Sequence, residues 1–131
     1  MSGIQRMLAD IQAEVAFTRR MTGRDSLDPR VMDAMRRVPR DEFVPLHLRP
    51  AAFSNGPLPI GRGQTISQPY IVALMTDLAA PEPDSRVLEV GTGCGYQAAV
   101  LSLLAKRVYS MEILPELADA AAQRLQRLGY K

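Results

Sequence analysis

The stretch Val87-Leu88-Glu89-Val90-Gly91-Thr92-Gly93-Cys94-Gly95-Tyr96 constrains this chain more than any other. Val87, Leu88 and Val90 make a short apolar run of the kind found in strands buried on both faces. Gly91, Gly93 and Gly95 follow at once, where backbone without side chains turns sharply and lets a ligand approach closely. From Tyr96, the positions of Ala98, Ala99, Leu101, Leu103 and Leu104 predict a helix over residues 95–105, its free N–H groups directed back at the turn. Such a sequence of elements outlines a small-molecule site. A second strand is predicted over residues 107–113. Pro115 then opens a last helix carrying Leu117, Ala118, Ala121, Leu125 and Leu128, with Gly129 as its C′ residue. The expected fold is α/β: a parallel βαβα unit with a right-handed crossover, preceded by helices.

The preceding chain reads as three helices and a long loop. Ile4, Met7, Leu8, Ile11 and Val15 give the spacing of an amphipathic helix running to about residue 20, with Gly23 as punctuation. Asp28 and Pro29 supply an N-cap and a first helical residue for a second helix, which Pro39 ends. Residues 43–53 are interrupted by proline and are expected to be irregular. Residues 54–69 read as one long loop. Loops of that length in compact domains are usually functional or disordered, and Leu58, Ile60 and Ile66 argue against disorder. Pro69 begins a third helix carrying Ile71, Val72, Leu74, Met75 and Leu78, and Pro81-Glu82-Pro83-Asp84 is a rigid connector. The expected division is therefore 1–83, helices and loop, and 84–131, the βαβα unit.

Composition narrows the class. A chain of 131 residues allows one domain with a modest core, and a net charge of +2 is too small to argue for nucleic acid. The longest apolar run, residues 98–105, is far short of a bilayer span, so no membrane role is expected. The N-terminus lacks the apolar stretch of a signal peptide, and the single cysteine excludes an intramolecular disulfide; a cytoplasmic location is the expectation.

The identity of the ligand turns on three positions. A dinucleotide-binding turn needs G-x-G-x-x-G, but Tyr96 stands where the third glycine belongs. Glu89 sits just before the turn, awkward beside a pyrophosphate but suited to a cofactor with a cationic amino-acid end. Glu112, 21 residues after Gly91, falls at the end of the second strand, where an acid accepts hydrogen bonds from a ribose diol. An adenosine-type cofactor without phosphate is indicated, and S-adenosylmethionine fits these features best.

Residues 87–96 with 108–113 resemble the first two cofactor-binding motifs of class I S-adenosylmethionine methyltransferases. The loop Pro57-Leu58-Pro59-Ile60-Gly61-Arg62-Gly63-Gln64-Thr65-Ile66-Ser67-Gln68-Pro69-Tyr70 is more specific: it closely resembles the signature of protein-L-isoaspartate O-methyltransferases. Val38-Pro39-Arg40-Asp41-Glu42-Phe43-Val44-Pro45 matches that family's upstream segment. The resemblance implies a Rossmann-like fold of which 84–131 is the first half of the S-adenosylmethionine-binding domain, the chain as a whole being an N-terminal, truncated version. It also implies methyl transfer to the α-carboxylate of L-isoaspartyl, and to a lesser extent D-aspartyl, residues in damaged proteins and peptides. Under it Ser67 and Thr65 are the catalytic candidates, and Gln64, Ile66, Glu89, Gly91, Thr92, Gly93 and Glu112 the cofactor-binding ones.

The chemistry so implied asks little of the side chains. A carboxylate with a pKa near ~4 is already ionised at neutral pH and needs no general base, and a sulfonium donor needs no metal to activate it. What remains is alignment with water excluded, for which Ser67 and Thr65 offer hydrogen bonds. Plainer roles stand beside these. Ser67 can be the N-cap or N′ residue of the Pro69 helix, Thr65 a turn residue, Arg62 a solvated loop arginine, Cys94 a small unreactive thiol, and His47 a surface residue. A truncated, non-catalytic relative serving as a binding or pairing module, or another class I methyltransferase, remains the alternative.

Overall fold

The structure, a computed structural model, describes residues 2–130; Met1 and Lys131, the outermost positions of the two expected regions, lie outside it. Helix α1 (Gly3–Thr22) begins with a capping box in which the Ser2 hydroxyl accepts from the Gln5 N–H while the Gln5 side chain accepts from the Ser2 N–H. Met7, Ile11 and Val15, spaced at the helical repeat, are buried along one face. Gly23 closes the helix in the left-handed conformation at φ 75°. Helix α2 (Pro29–Arg37) starts as its sequence predicts, with the Asp28 carboxylate accepting from the Arg30 N–H at 2.8 Å.

Asp77, near the end of α3 (Pro69–Ala79), clamps the start of α2. One of its oxygens accepts from the Asp28 N–H at 2.8 Å and the other lies 3.0 Å from Arg24 Nε. Helices α1 and α3 also meet through the Thr18 and Tyr70 hydroxyls, 2.6 Å apart. Buried side chains from α1, α2, α3 and the helix after the glycine turn, α4 (Tyr96–Ser102), belong to one hydrophobic cluster.

Strands β3 (Arg86–Val90) and β4 (Arg107–Met111) pair in parallel, with Val87 opposite Val108 and Val90 opposite Met111. Helix α5 (Pro115–Arg127) follows. It ends in a Schellman motif: the Tyr130 N–H bonds to the Leu125 carbonyl at 2.8 Å, the Gly129 N–H to Gln126 at 3.1 Å, and Gly129 is at φ 88°. The expected βαβα unit is present.

Four expectations are corrected. Residues 54–69 are not a structureless loop but contain an antiparallel hairpin of β1 (Leu58–Gly61) and β2 (Gln64–Ile66). Its two connecting residues, Arg62 and Gly63, both have positive φ, as the tightest hairpin turns require. Residues 43–53 are not irregular throughout: they contain a 3-10 helix, Leu46–Ala51, that follows another, Arg40–Phe43. The helix after the glycine turn stops at Ser102 and the second strand at Met111, both short of the predicted ends. Strand β3 is not buried on both faces. Leu88 is 62% and Val90 80% exposed, and Tyr109 and Met111, their partners across the ladder, are also more than half exposed. An apolar run reports a tendency to be covered, and these four side chains stay more than half exposed among the described residues.

Candidate active site

The glycine turn is built by backbone hydrogen bonds. The Gly91 and Thr92 N–H groups both donate to the Met111 carbonyl, at 2.7 and 3.1 Å, which fixes the end of β3 to the end of β4. Gly91, Gly93 and Gly95 all have positive φ, at 92°, 57° and 94°. These conformations exclude most side chains and account for the glycine spacing. A Cβ on Gly93 would stand 3.3 Å from Ile60 Cδ1, so the hairpin lies directly over the turn. At the hairpin's tip, Arg62 pairs with Glu116 in the first turn of α5.

A cavity of about 360 Å³ opens between the hairpin's end, α3, β3 and the glycine turn. Thr65, Ile66, Ser67, Glu89, Gly91, Thr92 and Gly93 line it. Seven of the nine site residues expected from sequence are thus brought to one space. Gln64 is not among the lining residues; it is exposed in β2, opposite Gly61. Glu112 also stands outside the cavity wall but is joined to it, since one carboxylate oxygen accepts from the Gly93 N–H at 2.8 Å and the other from Leu114 N–H at 3.1 Å.

Ser67 and Thr65 are exposed, and neither hydroxyl makes a hydrogen bond among the described residues. Ser67 occupies the N′ position of α3; the N-cap is Gln68, whose side chain does not cap. The hydroxyls therefore have donor capacity to offer a ligand. Ile66, by contrast, is only 3% exposed and anchors the strand between them into the core.

The two acids differ electrostatically. Burial raises the Glu89 pKa above the ordinary carboxylate value, against a smaller opposing effect of its hydrogen bond from Ser110; the neighbouring Glu112 charge adds to the rise. Glu112 is shifted the other way, its anion stabilised first by the Gly93 N–H and then by that of Leu114. The Thr92 hydroxyl shares the Ser110 hydroxyl with Glu89, so the turn and the strand-end acid belong to one polar chain. Cys94 is buried, and burial pushes its thiol pKa up, as befits an unreactive thiol.

These features accommodate an adenosine-type ligand. A Cβ on Gly91, a lining residue, would meet nothing within 4 Å, so the turn presents open space where a ligand can come close to backbone. Each Glu112 oxygen keeps acceptor capacity beyond its one backbone bond. The sequence reading does not single out Thr76 and Gln97, which also line the cavity. The Gln97 amide donates to the Thr76 hydroxyl at 2.8 Å, which donates to the Val72 carbonyl at 2.7 Å. The signal for Gln97 is its place one residue into the helix that leaves the glycine turn.

Comparison with known proteins follows the same direction. Residues 15–131 match the family described as protein-L-isoaspartate(D-aspartate) O-methyltransferase (PCMT). The chain is 60% identical over 130 residues to protein-L-isoaspartate O-methyltransferase 2 of Nitrosococcus oceani, covering 99% of this chain and 59% of that one. It is 61% identical over 124 residues to the protein of the same name from Polaromonas, covering 95% and again 59%. The chain thus spans about three fifths of the length of these relatives. A solved protein-L-isoaspartate O-methyltransferase superposes with a TM-score of 0.78 at 25% identity, over 98% of this chain and 39% of that one. A Plasmodium falciparum structure assigned to the same group, in complex with S-adenosyl-L-homocysteine, superposes with a TM-score of 0.68 at 22% identity over 88% of this chain and 55% of that one, and speaks for the fold alone.

Proposed function

Because the chain belongs to the protein-L-isoaspartate(D-aspartate) O-methyltransferase family, we propose that it carries the methyl-donor site and the carboxylate-orienting loop of a protein-repair methyltransferase. The substrate class is proteins and peptides bearing L-isoaspartyl or D-aspartyl residues, and the setting is the cytoplasm. Among the described residues no helix is long and apolar enough to cross a membrane. The observation that carries this reading is the single cavity shared by Thr65 of the hairpin, Ser67 just after it and the glycine turn.

In this reading residues 84–131 hold the donor. Gly91, Thr92 and Gly93 form the floor, Glu89 faces the cationic amino-acid end, and Glu112 accepts from the ribose diol. Ile66 closes the wall and Gln64 borders it from the hairpin. S-adenosylmethionine, when bound, supplies a methyl group on a sulfonium centre. The residues 1–83 supply the acceptor side: the free Thr65 and Ser67 hydroxyls donate hydrogen bonds that orient an already ionised carboxylate. No side chain is asked to remove a proton. The hairpin lying over Gly93 limits water on that side.

Calorimetric titration of S-adenosylhomocysteine into the 131-residue chain, followed by methyl transfer to an isoaspartyl peptide with the aspartyl peptide as control, tests the proposal. Micromolar binding and transfer only to the isoaspartyl peptide are expected. A cooperatively folded chain that shows neither overturns it in favour of the second reading, a non-catalytic relative acting as a binding or pairing module. The exposed apolar face of Leu88, Val90, Tyr109 and Met111 favours that second reading.

A further inference from the structure

Among the described residues Arg40 is the largest fully buried side chain, at 0% exposure, and no carboxylate lies within ion-pair distance of it. Burying a guanidinium is costly, the more so here because Nη1 has no hydrogen-bond partner among the described residues, so the partners of Nε and Nη2 identify what the cost maintains. Nε donates to the Ala52 carbonyl at 2.6 Å, just past the 3-10 helix Leu46–Ala51. Nη2 donates to the Ser67 carbonyl at 2.9 Å. The guanidinium carbon lies 4.9 Å from the centroid of the Tyr96 ring, within cation–π range. Tyr96 is the first residue of α4, immediately after the glycine turn, and its ring packs edge-on against Phe43 with centroids 5.6 Å apart. Burial lowers the Arg40 pKa and pushes that of Tyr96 up to about 12, so near neutral pH the phenol is uncharged.

We propose that Arg40 is a positioning residue: its one rigid plane sets the Ser67 end of the hairpin at a fixed distance and angle from the glycine turn. The proposal rests on the reading of Ser67 as the group that orients the substrate carboxylate. Holding the Ser67 carbonyl fixes the peptide plane that leads from the Ser67 Cα to Gln68, and with it the direction in which the chain leaves Ser67. Seating on Tyr96 refers that direction to the cofactor side of the cavity, of which Tyr96 is a lining residue. Arginine suits the task because a planar fork reaches two carbonyls while lying on a ring; lysine carries the same charge as a point.

The test is amide hydrogen exchange on the 131-residue chain and its Arg40→Lys and Arg40→Met variants. Exchange across residues 64–68 is expected to accelerate at least tenfold in both, while residues 7–15 of α1 change less than twofold. Unchanged exchange at 64–68, or equal acceleration throughout the chain, overturns the proposal, the latter because it is the mark of an ordinary core arginine. Should neither variant fold, NMR of the unsubstituted chain decides. The Arg40 guanidinium protons are expected to exchange at least a hundredfold more slowly than those of exposed Arg107, and equal rates overturn the proposal. The site reading is checked separately. An unsubstituted chain that fails to bind S-adenosylhomocysteine strikes at the proposed function and leaves the exchange pattern to decide on Arg40. In a chain that turns over, Arg40→Lys is expected to raise the peptide KM at least fivefold with S-adenosylhomocysteine affinity held within threefold; equal losses overturn the positioning role.

Discussion

Gly91 and Gly95 have nearly the same φ, 92° and 94°, but different surroundings, and alanine at each separates packing from ligand binding. At both positions alanine meets the left-handed penalty, about 1–2 kcal/mol. It recovers about 0.4–1 kcal/mol because the unfolded chain is less free, leaving a net loss of about 1 kcal/mol. At Gly91 nothing else opposes the new methyl, since no atom lies within 4 Å of it. At Gly95 the Cβ would stand 3.3 Å from Leu125 Cδ1 and Cγ and 3.5 Å from Ala121 Cβ. There α5 must withdraw or Leu125 must change rotamer, an overpacking cost of about 1–3 kcal/mol. Gly95→Ala is thus expected to be the less stable variant by about 2 kcal/mol. With a urea m-value of about 2 kcal/mol/M, the midpoints differ by about 1 M. Ligand binding inverts the order. Gly91 lines the cavity and Gly95 does not, so Gly91→Ala is expected to weaken S-adenosylhomocysteine at least about tenfold, about 1.4 kcal/mol. Gly95→Ala, measured well below its transition, keeps the affinity. Urea denaturation and titration calorimetry give both orders. Equal midpoints refute the packing argument, and undiminished affinity in Gly91→Ala refutes the placement of the ligand.

Three further outcomes are expected. Ser67→Ala lowers turnover in an active chain while cofactor affinity stays within about threefold, and an unchanged rate constant removes Ser67 from the mechanism. Asp77→Asn loses the charge paired with Arg24 and leaves the Asp28 N–H a neutral, weaker acceptor, both at a side chain only 7% exposed. A loss of about 1–3 kcal/mol in chemical denaturation is expected, and a loss below the scatter of the measurement refutes the clamp. Glu89 binds its proton more tightly in the folded chain than in the unfolded one. Its contribution to stability is therefore complete below the unfolded carboxylate pKa and is lost as the pH rises through the folded value. Glu89→Gln should accordingly raise the melting temperature more at pH 7 than at pH 4, and an equal increment at both argues against burial as the cause.

What the sequence made legible was periodic or capped. The spacing of Met7, Ile11 and Val15, the Asp28-Pro29 start and the Gly129 helix end all lie within a few residues of their partners, where local chemistry decides conformation. The hairpin was less legible for a physical reason. Its strands have four and three residues, Pro59 interrupts one of them, and the turn places Arg62 in a conformation better suited to glycine. Only the contact of Ile60 over Gly93 and the pairing of Arg62 with Glu116 show what it spans. Arg40 was hidden more thoroughly. In the run Pro39-Arg40-Asp41-Glu42 it reads as one charge among several on a wet surface, whereas all its partners are distant carbonyls and a ring. The exposure of Leu88 and Val90 was hidden because an apolar pattern does not say what covers it.

The opposite shifts of Glu89 and Glu112 give the cavity a chemical polarity that acid can dissect. With falling pH, Glu89 takes up its proton first, while Glu112 keeps its charge further into the acid range. Under the proposed roles, a ligand that is nucleoside alone, such as adenosine, is expected to engage only the Glu112 end and to bind with a flat pH profile over the range in which Glu89 titrates. One that also carries an ammonium group spans both ends and should weaken across that range. Comparing the two profiles sorts recognition of the sugar from recognition of the amino acid without altering a residue.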